Sequence, residues 1–448
     1  MNRYLKDVKL SKARLSKSQF FRNVAKLFAG NISAQSIAFL AAPIITRLFT
    51  PIDFGTMALI ESSIVLAAVV ANLRYERAIM LPKEDNDAEH ILGLCILSNI
   101  IISLIVLLII SVAKESIASL LGDPDIEKWL WFVPIGVFLF GVREPLTYWF
   151  GRKREFGIVA WAQFSQSSWS VLTKIIAGLI YGSTAAGLII GNLNGFLFSA
   201  VPLLLRYFKE KGSDILKQFS MERFLSVAKE YKKFPIFSSW TALANAFAEN
   251  IPVFLLSYYY SATIVGYFAL ANKMLRKPIA LISTSITKVL LEKIARLNAN
   301  GDPLDIIFKK ATLGLGAIAV VPLVIILFLG PQLFSLCFGD RWYEAGNYAR
   351  LLSPWLFFAF MAPPANQVIT VRQKLKFNLV FHIGIAVSRF CAIVIGSKIS
   401  EDPAVPLAIL SFVSASFFLF YILFAYHLVA QEDPQKTRSS SDMEFPGF

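Results

Sequence analysis

Apolar runs long enough to cross a membrane recur along almost the whole chain, and nothing else in the sequence constrains its fold as strongly. About 20 residues of α-helix span roughly 30 Å of hydrocarbon. Such runs lie at 27-46, 53-73, 91-113, 130-150, 157-180, 184-205, 234-257, 263-284, 311-330, 347-369, 378-398 and 405-428. Of 448 residues, 56% are hydrophobic and only 17% charged, and the mean hydropathy is +0.59. These values exclude a water-soluble fold, and the connections leave no room for a large extramembrane domain. The expected fold class is an all-α polytopic membrane protein with about 12 transmembrane helices.

Positive charge alternates between the connections. Arg3, Lys6, Lys9, Lys12, Arg14, Lys17, Arg22 and Lys26 precede the first run. Arg74, Arg77 and Lys83 follow the second, Arg152-Lys153-Arg154 the fourth, and the same parity continues through Lys209 to Lys233, Lys288 to Lys310, Arg372-Lys374-Lys376 and Lys436-Arg438. The connections Tyr181 to Thr184 and Ser257 to Thr263 carry none, and 115-128 is mostly acidic. By the positive-inside rule the basic side, with both termini, is cytoplasmic. A missed or invented helix would scramble this parity, so it supports the span count independently. The formal net charge of +14 is explained by membrane topology and anionic headgroups, and no nucleic-acid partner is expected. The first run exceeds a signal-peptide core and has no small-residue cleavage site before it, so it is expected to remain in the mature protein.

The chain shows weak self-similarity at a spacing of about 210 residues. Pro43-Ile44-Ile45-Thr46 leads through a short turn to Phe54-Gly55-Thr56-Met57-Ala58-Leu59, and Pro252-Val253-Phe254 leads likewise to Val265-Gly266-Tyr267-Phe268-Ala269-Leu270. Arg152 to Phe156 opens the fifth helix, and Arg372 to Phe377 the eleventh. The expected organisation is a basic segment 1-26, a first six-helix lobe 27-206, a basic linker 207-233, a second six-helix lobe 234-430 and a polar tail 431-448. Parallel repeats of this kind place a central cavity between pseudo-repeat lobes and work by alternating access.

Ionisable side chains in hydrocarbon cost at least about 2.5–3.5 kcal/mol near a helix centre, so they mark polar cavities. Glu61 lies about eight residues, roughly 12 Å, inside the second run, and Lys273 about 15 Å inside the eighth. Under the repeat alignment Glu61 falls opposite Asn272-Lys273. Arg276 and Lys277 share the eighth run; Arg143 and Glu144 lie in the fourth, Lys174 in the fifth, Glu249 and Asn250 in the seventh and Arg389 in the eleventh. Bases outnumber acids, and such a cavity suits an anion such as phosphate. The candidate substrate-binding residues are Lys273, Arg276, Arg389, Arg143, Lys174, Arg74 and Arg77. For Arg74 and Arg77 the alternative is topology anchoring, for Arg143 a structural pair with Glu144, and for Lys174 snorkelling. Glu61 and Glu249 are candidates for proton or sodium coupling, or are counter-ions to the bases.

Enzymatic chemistry finds little support. Asp123-Pro124-Asp125 is a short carboxylate pair in an outward loop without a nucleotide-sugar domain around it. His90, His382 and His427 are scattered, and Cys95, Cys337 and Cys391 lack disulfide or zinc spacing. No Gly-rich phosphate loop is present. A cofactor, a bound metal and ATP hydrolysis by the chain itself are therefore not expected. Trp and Tyr near run ends, as at Tyr148-Trp149 and Trp342-Tyr343, read as interfacial belts.

Phe54-Gly55 through Glu61, followed by Arg74-Tyr75-Glu76-Arg77-Ala78-Ile79-Met80-Leu81-Pro82, resembles the second-helix region of Wzx-type polysaccharide-unit flippases. These share a superfamily with multidrug and toxin extrusion transporters and the lipid II flippase. The likeness is concentrated in residues 27-82. It implies movement of a polyprenyl-diphosphate-linked oligosaccharide across a bacterial inner membrane, from the cytoplasmic to the periplasmic leaflet. The diphosphate would then meet the basic cavity, and a polysaccharide polymerase and a chain-length regulator would be further partners. A multidrug/cation antiporter, a membrane-embedded polysaccharide polymerase or ligase, and an assembly scaffold are the alternatives.

Overall fold

The computed structural model describes residues 30, 32–211, 220–300, 302–372 and 374–430. The basic segment 1-26 and the polar tail 431-448 lie outside them. All regular structure among the described residues is helical, and the helices group into two compact units, Met1–Ala246 and Phe247–Phe448.

The first unit begins with α1 (Ile32–Leu48) and α2 (Pro51–Ala71). Thr50 caps α2 with Asp53 in a reciprocal capping box, and Ser183, from a distant turn, hydrogen-bonds both residues. A 3₁₀ turn, Tyr75–Met80, then leads to α3 (Asp85–Leu120). After the short α4 (Glu127–Leu130) come α5 (Phe132–Arg152), α6 (Phe156–Tyr181) and α7 (Ala185–Lys211). The amphipathic α8 (Met221–Glu230) buries Phe224 and Val227 against α3 while Met221 and Leu225 stay exposed. Arg223 holds it there through two 2.7 Å bonds to Asp87.

The second unit contains most of α9 (Ser239–Tyr259), inside which the division falls. It continues with α10 (Ala262–Asn300), α11 (Asp305–Phe338), α12 (Tyr343–Met361), α13 (Pro363–Val371), α14 (Leu375–Ile399) and α15 (Ala404–Ala430). Pro363-Pro364 opens α13 where α12 ends, as expected of paired prolines, whereas Pro252 and Pro278 sit inside continuous helices. A cluster of Phe308, Val368, Ile369, Phe381, Ile385, Tyr421 and Ala425 forms the core near the α13 end.

Each of the twelve expected runs falls on helical structure, the first only from Ile32 onward, with 130-150 divided between α4 and α5 and 347-369 between α12 and α13. Six described helices are long and apolar enough to cross a membrane alone, and a seventh span results if Pro124–Leu130 and the bent continuation Phe132–Arg152 are one. The helices below that standard include α6, α9 and α10, which carry Gln163, Gln166 and Lys174, Glu249 and Asn250, and Lys273, Arg276 and Lys277. Polar side chains lower their hydropathy because these helices face protein or polar space as well as lipid. The chain is a multi-pass membrane protein.

The basic connections are also structural. Arg152 bonds Asp85 Oδ1 at 3.0 Å and donates to the carbonyls of Ile79 at 3.1 Å and Pro82 at 2.7 Å, while Lys153 reaches Asp85 Oδ2 at 2.5 Å. The Asp85 carboxylate holds the Lys153 ammonium above the usual lysine range. Arg206 pairs with both Glu155 oxygens.

Candidate functional site

Within the first unit, three helices converge on a buried cation. Gly187, Gly191 and Gly195 recur every fourth residue on α7 and let α6 approach closely, as small residues do between membrane helices. A Cβ on Gly191 would stand 2.4 Å from Lys174 Cγ. The Lys174 stem occupies that gap, and the side chain is only 7% exposed. Its Nζ donates to Asn192 Oδ1 at 2.6 Å, and Asn192 Nδ2 donates to Glu61 Oε2 on α2 at 3.3 Å. Ammonium, amide and carboxylate thus form one chain across α6, α7 and α2.

The polar face of α6 continues from Lys174 through Ser170 to Gln166 and Gln163, at helical spacing. Arg143 on α5 donates to Gln166 Oε1 at 2.5 Å, ion-pairs with Glu144 and stacks on Phe140 at 5.0 Å. Further along, Arg74 Nη1 lies 3.4 Å from Glu76 Oε1, with Glu76 buried and Arg77 exposed. Burial pushes the Glu76 carboxyl above the ordinary carboxylate range, with the Arg74 guanidinium opposing the shift.

Within the second unit, Arg389 on α14 is buried at 6% exposure. Its Nε donates to Ser414 Oγ at 3.2 Å, Nη1 donates to the Ala248 carbonyl at 3.3 Å, and the guanidinium lies 4.5 Å from the Trp355 ring centre. Arg276 on α10 pairs with Glu249 on α9 at 3.3 Å, both side chains being well exposed. Lys273 makes no ion pair or hydrogen bond among the described residues. A separate open cavity of 1070 Å³ lies among α10, α11, α12 and α15, lined by Glu344, Arg350, Asp402 and Tyr267 together with apolar side chains such as Phe412.

The two carboxylates expected to couple ions are therefore each tied to a base, Glu61 to Lys174 through Asn192 and Glu249 to Arg276 directly. Sequence reasoning named the charged members of these groups but missed Asn192, Gln166 and Glu76 as participants, and the 1070 Å³ cavity altogether. The spacing of Glu344, Asn347 and Arg350 on one face of α12 was the available signal for that cavity. No group of three or more metal-ligating side chains occurs among the described residues.

Residues 44–347, more than half of the chain, match the polysaccharide biosynthesis protein family. The chain belongs to that family. No curated protein matches it in sequence. Among solved structures, this polysaccharide biosynthesis protein is similar to an inward-facing multidrug resistance MATE transporter of the MOP superfamily, with a TM-score of 0.62 and 13% identity over 92% of this chain and 95% of that one. It is similar to the lipid II flippase MurJ in an inward closed conformation, with a TM-score of 0.56 and 15% identity over 97% and 93% of the two chains. A MOP transporter from Pyrococcus furiosus, reported with reversed polarity of its binding pocket, matches at a TM-score of 0.55 and 14% identity over 93% and 96%. At such identities the likeness is one of fold: two-lobed, all-helical and shared with MOP transporters. The resemblance carried by residues 27-82 stands at the level of family and fold.

Proposed function

We propose that this polysaccharide biosynthesis protein is a flippase. It moves a polyprenyl-diphosphate-linked oligosaccharide from the cytoplasmic to the periplasmic leaflet of a bacterial inner membrane, with both termini cytoplasmic, for cell-surface polysaccharide such as O-antigen, capsule or exopolysaccharide. The observation that carries the reading is a buried, amide-bridged cation, Lys174, on a polar helix of a family that builds polysaccharide. A lipid diphosphate must be drawn through a low-dielectric layer, and cations held ready inside that layer offset its desolvation. Lys273 carries no carboxylate partner among the described residues and is the base most available to the diphosphate. Arg389 is engaged by Ser414, Ala248 and Trp355 and acts by its field and by shaping the site.

Cation export is disfavoured, because of the acids such a substrate needs Glu249 is paired with Arg276, and Glu61 accepts from the Asn192 amide that also binds Lys174. The test is glycan sidedness in vesicles from cells lacking the gene, complemented with wild type or with the Lys273→Ala/Arg276→Ala double variant. Wild type restores outward glycan, and the double variant, expressed at the same level, leaves it on the cytoplasmic leaflet. Normal sidedness with the double variant rejects the assignment.

A further inference from the structure

The turn between α2 and α3 is built at conformational expense. Leu73 and Arg74 have φ of 48° and 61°, consecutive left-handed positions without a glycine. Such positions persist only where the surroundings over-determine them, and they gather at functional sites. The turn delivers Glu76 to 4% exposure.

Polar satisfaction there is incomplete. Glu76 Oε1 faces Arg74 Nη1 at 3.4 Å, but Oε2 has no hydrogen-bond partner among the described residues, nor have the buried atoms Asn72 Oδ1 and Arg74 Nε. Buried polar groups are nearly always paired, so three orphans within five residues require an explanation. Neither protonation state of Glu76 satisfies the whole set. The carboxylate suits Arg74, whereas the neutral acid gives the buried Oε2 a proton to donate but leaves the guanidinium without a counter-charge.

We propose that Glu76 is the proton-binding carboxyl of the transport cycle, neutral in one stage and charged against Arg74 in another. The assignment rests on the flippase reading for its cycle, but not for its chemistry. A hydronium ion from solvent gives its proton to Glu76 Oε2, its O–H bond breaking as the new one forms and a water molecule being left, and on release the same Oε2–H bond breaks as a solvent water takes the proton.

The groups acting on Glu76 are few. Arg74 and Arg77 come from its own turn, Glu144 and Tyr148 from α5 and Cys95 from α3. The turn Phe234–Ser238, also packed against it, brings no titratable side chain. Two cations thus face two carboxyls, so one proton changes the sign balance of the cluster. Glu144 passes that change onward, since it pairs with Arg143, which also holds Gln166 on the polar face of α6. Burial favours the neutral acid, so the carboxyl holds its proton to higher pH than an exposed one.

Infrared difference spectroscopy of the full-length protein in lipid nanodiscs, between acid and alkaline buffer, tests this without substrate. Wild type should show a carboxylic-acid C=O band titrating above the range of exposed carboxyls. Glu76→Gln should lose that band, and Glu144→Gln should keep it with a lower midpoint. If Glu76→Gln does not fold, Arg74→Gln serves, and its band should titrate at higher pH. A band that survives Glu76→Gln, or a midpoint indifferent to Arg74→Gln, overturns the proposal. Wild-type protein that shows the band but moves no lipid-linked glycan would instead reject the flippase reading, so the two failures are separable.

Discussion

Lys174 Nζ and Asn192 Oδ1 meet at 2.6 Å across α6 and α7, at the place where Gly191 leaves room for the lysine stem. The contact makes a buried charge tolerable, and it links a packing device to the candidate site. Replacing Asn192 by Leu removes the amide that bridges the buried Lys174 to Glu61. The expected loss is about 3–5 kcal/mol, the range for breaking a buried charge's partnership. Lys174→Met in the same background should recover much of it while transport stays lost. A double-mutant cycle from thermal unfolding in detergent checks the coupling, expected at about 0.5–3 kcal/mol.

Gly191→Ala should destabilise by about 1–3 kcal/mol, the cost of overpacking, because its Cβ would meet Lys174 Cγ at 2.4 Å and the Ser170 carbonyl at 3.1 Å. Gly314→Ala on α11 is the control. Nothing lies within 4 Å of its Cβ, and removing a helical glycine should stabilise by about 0.4–1 kcal/mol. Melting temperatures of the two variants should therefore move in opposite directions.

Much of the fold was legible in the sequence. Hydropathy located α3, α11 and α15 without help, and charge parity secured α6 and α10, whose own hydropathy is weaker. The site was legible only in part. Lys174 stood out as an intramembrane charge but was compatible with snorkelling; its burial depends on the Gly191 gap and on Asn192, an uncharged amide on another helix. Glu76 appeared as one letter of a motif. Its burial follows from left-handed backbone at Leu73 and Arg74, which no propensity announces in non-glycine residues. Arg389 was placed correctly near a helix middle, but its ring, hydroxyl and carbonyl partners come from three other helices.

Arg152 and Arg154 are neighbours in one basic turn with opposite expectations. Arg152 satisfies two carbonyls and Asp85. Arg152→Ala should cost about 1.5–3 kcal/mol, the range for hydrogen bonds to a charged group, and Arg152→Lys should not restore it because the forked geometry is lost. Arg154 is exposed with φ of 59°. Arg154→Gly should raise stability by up to about 1 kcal/mol by relieving the left-handed strain. Thermal unfolding of the three variants separates structural from purely topological charge.

The Glu76 carboxyl, raised by burial, gives stability a definite pH dependence. The folded state binds its proton more tightly than the unfolded chain does, so this contribution is fully present below the ordinary carboxylate pKa. It is lost as pH rises through the raised folded value. The melting temperature of wild type relative to Glu76→Gln should fall across that window. A difference that stays constant with pH would contradict the shift.

The most direct measurement of the central claim is transbilayer movement of a purified polyprenyl-diphosphate-linked oligosaccharide in liposomes containing the purified protein, read by a glycosidase confined to one side. Protein-dependent movement that is lost in Lys273→Ala/Arg276→Ala is the predicted result. Glycan that stays on its starting leaflet with wild-type protein present, while a cationic drug is moved instead, would contradict the account.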